Sequence, residues 1–270
     1  MRNRIVESVL LLSAMMTFSS IVSAQSNRQT IAPKNDAAAA SAFNPHELSG
    51  VWTGRERNTT GNEISPLTPW GKEEFNAHQP FNGPRSVSVG ISNDPMIKCD
   101  PLGFPRNLFH EMRAMELVQT PKKVVQLFQY QGIWRQIWTD GRELPKNAGG
   151  DTVDAPDPMY YGYSVGKWDG DTFVVDTVGL DGDTWLDVYG DPHSENLKVE
   201  ERYTRQDHDN MKLTVMVDDP KAYSKPFMAQ PGEFYKLSKD DLPMQLCIPS
   251  SADAYLNSIA GPAASTKAQK

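Results

Sequence analysis

The stretch densest in groups able to move protons runs Asp181-Gly182-Asp183-Thr184-Trp185-Leu186-Asp187-Val188-Tyr189-Gly190-Asp191-Pro192-His193-Ser194. An imidazole can take or give a proton near neutral pH, and a carboxylate bonded to its second nitrogen fixes which tautomer is present. His193 and Asp187 are therefore a candidate acid–base pair, with the phenol of Tyr163 as a third catalytic candidate. The same stretch has a plainer reading, in which its Asp residues close turns and His193 bonds a backbone carbonyl, since Asp is an ordinary turn residue.

A second set of residues suits binding. A guanidinium holds a carboxylate through two parallel hydrogen bonds, and large aromatic side chains offer apolar area with a polar edge. Arg135, Trp138, Arg142, Trp185 and Glu201 are the candidate ligand-binding residues. Metal chemistry has little to stand on. Asp181, Asp183 and Asp187 begin like a calcium loop but lack its glycine and terminal glutamate. The histidines at 46, 78, 110, 193 and 208 are scattered, and His110-Glu111 lacks the second His of a zinc-protease motif. There is no Gly-x-Ser-x-Gly elbow and no phosphate-cradling glycine loop, so neither metal nor cofactor is expected.

These residues need strands to hold them. Within Gly162 to Gly179 two strand-like runs flank Trp168-Asp169-Gly170-Asp171, and the Asp169-Gly170 pair is a strong hairpin signal. Further strand-like runs cover 113–119, 123–129, 133–139, 197–205 and 211–218, and Val51 marks a first strand, for eight candidates in all. Short strands with turns between them and little helix predict an all-β fold. We expect an antiparallel up-and-down meander closing into a barrel, because an open meander leaves two unpaired edges. Alternation turns Leu197, Val199, Glu201, Tyr203 and Arg205 inward, and likewise Met211, Leu213, Val215 and Val217. In 133–139 the two faces compete: Ile133, Arg135 and Ile137 on one, Trp134, Gln136 and Trp138 on the other. Arg135 and Glu201 are candidate partners inside the barrel. Before the second strand lies a long irregular segment, 58–106, whose one helical stretch has Thr68 as cap and Pro69 at its first position.

The chain has 270 residues and a formal charge of −7, which argues against nucleic acid or an anionic membrane as the main partner. Residues 1–24 carry the three-part pattern of a secretory signal, with cleavage expected after Ala24 and no membrane anchor. A flexible leader is expected over 25–45, one barrel-like domain over 46–259 and a flexible tail over 260–270. Cys99 and Cys247 are the only cysteines, and export to an oxidising compartment suits a disulfide between them.

Gly50-Val51-Trp52 opening a first strand resembles the calycin superfamily of lipocalin-like barrels. Longer phrases are similar to a group of exported, largely uncharacterised bacterial proteins with such a barrel. They are Trp138-Thr139-Asp140-Gly141-Arg142, the hairpin from Gly162 to Thr172, and His193-Ser194 leading to Glu201-Arg202. The resemblance implies the fold and a periplasmic or secreted location. The segment 58–106 departs from the better-known lipocalins. Three functions follow as expectations: a barrel binding a small, partly apolar molecule in an aromatic-lined cavity; an acid–base enzyme (isomerase, lyase or hydrolase) using His193 and Asp187 at the barrel mouth; or an interaction protein of the cell envelope.

Overall fold

The computed structural model describes residues 43–54, 64–109, 114–150 and 152–268. The expected signal and most of the leader, and His110, Glu111 and Arg113, lie outside the described residues.

Nine strands form one closed barrel in sequence order. They are β1 (Gly50–Gly54), β2 (Met115–Gln119), β3 (Lys123–Phe128), β4 (Trp134–Trp138), β5 (Tyr163–Asp169), β6 (Thr172–Val178), β7 (Lys198–Arg205), β8 (Asn210–Asp218) and β9 (Phe227–Leu237). β1 pairs with both β2 and β9, so no strand is left as an edge. The all-β barrel expected from the alternation is therefore present, with the inward faces as read. Val199, Tyr203, Leu213, Val215 and Val217 are all buried. The turn between β5 and β6 relies on Gly170, whose φ of 58° an L side chain adopts with strain.

Two features differ from the antiparallel, eight-strand expectation. β4 and β5 are parallel, and only Ile137↔Ser164 and Trp138↔Val165 pair. The connection from 139 to 162 brings the start of β5 beside the end of β4, with the two strands running the same way. The ninth strand contains Pro231-Gly232, which reads as a break. The register jumps there from Leu213↔Glu233 to Val215↔Gln230, so these two residues fall at an irregularity, where proline costs no ladder bond.

Helices are few. α1 (Pro69–Ala77) starts where expected, with the Thr68 hydroxyl accepting from Gly71 N at 3.1 Å. Gly71 lets the helix lie against the Asp219–Tyr223 turn, since a Cβ there would stand 2.2 Å from Ala222 O. α2 (Arg106–Phe109) is a single buried turn. α3 (Pro249–Tyr255) continues through a π turn (Leu256–Ala260) into α4 (Gly261–Ala268). Cys99 and Cys247 are bonded, with Cα atoms 5.3 Å apart, which ties the segment between β1 and β2 to the one after β9.

Candidate functional site

Inside the barrel, β4 and β7 place Arg135 and Glu201 opposite one another. The guanidinium NH2 donates to both carboxylate oxygens, at 2.7 and 2.5 Å. Its Nε donates to Gln126 Oε1 at 2.7 Å, and NH1 reaches the Ser164 and Thr177 hydroxyls at 3.3 and 3.4 Å. Tyr203 donates to Glu201 Oε2 at 2.5 Å, and burial first, then the Glu201 charge, push its phenol well above the usual range. The Phe104 ring lies 3.9 Å from the guanidinium carbon. The expected inner partnership is thus real, and it commits every guanidinium nitrogen to the protein's own groups. A buried ion pair persists only when its remaining donors and acceptors are satisfied, as here.

A large concavity opens on the outer wall of the barrel, beside β4. With Arg135 and Ile137 turned in, Trp134, Gln136 and Trp138 turn out. The two-pair seam between β4 and β5, bordered by residues 142–145 and 158–163, leaves a groove of about 920 Å³. Trp134, Trp138, Met159, Tyr160, Tyr161 and Tyr163 line it, with Arg135 and Ser164 at its floor. Trp134 is 54% exposed and Met159 42%. Arg142 lies over the Trp138 ring at 3.6 Å and pairs with Asp140 at 2.7 Å. The Tyr163 phenol donates to Asp157 O at 2.9 Å.

A second, smaller cavity of about 410 Å³ lies beyond the 181–194 loop. Asp181 touches the groove, while Gly182, Asp183, His193, Ser194 and Glu195 line this cavity together with Trp70, Glu74 and His78 of the α1 segment. His193 is 3% exposed, with Nε2 2.8 Å from Thr184 Oγ1 and Nδ1 3.3 Å from Ser194 O. Burial, the largest influence on its pKa, lowers it and so disfavours the charged imidazolium. Ser194 is held through its N and Oγ by the Asp219 carboxylate, at 2.6 and 2.8 Å. Asp187 accepts from Tyr189 N at 2.8 Å and Asp191 N at 3.2 Å. Among the described residues no group of three or more His, Cys, Asp or Glu is placed to hold a metal ion.

No protein family, no curated protein and no solved structure matches the chain.

The candidate residues therefore fall in separate places. Trp138, Arg142 and Tyr163 meet in the groove, and Arg135 contributes to its floor. Glu201 is in the lumen, and His193 is in the second cavity. Trp185 is buried, stacked on His78 at 4.5 Å with Arg106 5.6 Å from its ring. Asp187 is buried and serves backbone amides of its own loop, as in the turn reading. Sequence reasoning missed His78 and Glu74. The signal was there: Trp70, Glu74 and His78 recur every fourth residue, which sets them on one face of a helix carried past Phe75.

Proposed function

We propose that the protein binds a small, partly apolar molecule in the groove on the outer wall of its barrel, beside the parallel β4–β5 seam. The observation that carries this reading is the groove itself, large enough for a drug-sized ligand and lined by aromatic rings left open to solvent. Trp134 and Trp138 supply flat apolar area, and Arg142 offers a cation that can exchange Asp140 for an acidic group of the ligand. The acid–base reading has less support, because Tyr163 and His193 line different cavities. The barrel and its opening Gly50-Val51-Trp52 support a lipocalin-like protein, and the Cys99–Cys247 bond supports export to an oxidising compartment. No helix among the described residues is long and apolar enough to cross a membrane.

The test is native mass spectrometry of protein purified from its own host, beside a Trp134→Ala/Trp138→Ala variant. The reading expects a small molecule on the wild type that the variant has lost. The same molecule on both, or none on either, counts against it.

A further inference from the structure

The cavity beyond the 181–194 loop has a lining unlike the groove's, and three of its walls are set by independent elements. α1 contributes Trp70 and Glu74 from one face, and the extended residue that caps its C-terminus contributes His78. The loop contributes Asp183 and Asn196 follows it, and Lys221 closes the third side from the turn between β8 and β9. His78 is held in one tautomer. Its Nδ1 is 2.8 Å from Gly190 O, a carbonyl that can only accept, so the proton sits on Nδ1 and Nε2 carries the lone pair. The ring is also fixed in plane by its stacking on Trp185. Burial lowers the His78 pKa, which keeps that lone pair free at neutral pH.

The chemistry of the lining selects the occupant. Glu74, Asp183, Glu195 and His78 Nε2 accept, Lys221 donates, and Asn196 does both. A small anion would face three carboxylates, Glu74, Asp183 and Glu195, for one ammonium. A cation would face Lys221, whose Nζ lies 4.5 Å from the Trp70 ring and occupies that ring's cation-binding face. A hydroxyl group both donates and accepts, so a ligand carrying several satisfies both kinds of wall without adding charge. The volume of about 410 Å³ suits a ring or two. We infer that this cavity is a second binding site, for a neutral polyhydroxylated molecule of mono- or disaccharide size, with His78 Nε2, Glu74 and Asp183 accepting its hydroxyls and Lys221 donating to them.

Glucose and sucrose are the probes, titrated into the isotope-labelled full chain and followed by NMR. The expected result is saturable shifts, with a dissociation constant of about 1–10 mM, confined to residues 70–78, 182–196 and Lys221 and including the unprotonated Nε2 of His78. Lys221→Ala and Asp183→Asn, both at exposed positions, are each expected to weaken binding about tenfold. The Trp134→Ala/Trp138→Ala variant is expected to bind the sugars as the wild type does, which separates this site from the groove. Absence of saturable shifts, equal affinity in Lys221→Ala, or shifts only with a charged sugar acid or amine would overturn the inference.

Discussion

Removing one side of the Arg135–Glu201 pair leaves the other charge buried in the lumen without its partner. Both side chains are almost wholly buried. Arg135→Met is expected to cost about 3–5 kcal/mol in urea denaturation, whereas Arg135→Met combined with Glu201→Leu should cost clearly less than the two single changes added together. Additive losses would show that the pair is not coupled. A second residue-scale consequence concerns Asp191, pushed up to about 8, first by burial and then by the Asp187 carboxylate beside it. Its ordinary value is 3.8, so between 3.8 and about 8 the folded chain holds a proton that the unfolded chain has lost. Stability from this group is whole below the lower value and is lost as pH rises through the upper one. The lowered values of His78 and His193 act in the opposite sense, favouring the fold above the unfolded value of 6.5. A comparison with Asp191→Asn cancels the histidines. The stability of the wild type relative to that variant should fall steadily between about pH 5 and 8.5, and a difference independent of pH would contradict the shared-proton environment.

At the scale of elements, the disulfide ties the irregular segment between β1 and β2 to the segment that leads from β9 into the C-terminal helices. Its loop spans 148 residues, so Cys99→Ser/Cys247→Ser is expected to lose about 2–4 kcal/mol. Hydrogen exchange should quicken in 244–268 while β7 and β8 stay protected, and equal quickening in those strands would place the tie in the barrel's own stability. Much of this layer was legible in the sequence. Alternation in β7 and β8 assigned the inner faces, the Asp169-Gly170 pair located the β5–β6 turn, and Cys99 and Cys247 had no other partner to choose. Other parts were not. Both faces of β4 carry large side chains, so alternation cannot choose between Arg135 and Trp138; the choice is made by Glu201, 66 residues away, which only folding brings close. Pro231 hid β9 because a proline inside a strand is tolerated only where the ladder is already broken. The parallel β4–β5 pair depends on the path of a long connection, on which local residue preferences are silent. That path creates the groove, so the groove could not be read before the fold.

For the molecule as a whole, the closed barrel keeps its lumen for its own side chains, an aromatic core with one saturated polar network, and turns its open aromatic surface outward. Ligand capture on the wall differs from capture in a hollow lumen in which tryptophans should sense the ligand. The chain has six: Trp134 and Trp138 in the groove, Trp70 in the polar cavity, Trp52 and Trp185 buried, and Trp168 on β5. The most direct measurement is fluorine NMR of protein carrying 5-fluorotryptophan, titrated with anilinonaphthalene sulfonate as a small aromatic anion. Saturable shifts of the Trp134 and Trp138 signals, with those of Trp52 and Trp185 unmoved, are the predicted result. Movement of the Trp52 signal instead, or no saturable shift at Trp134 and Trp138, would contradict binding in the outer groove.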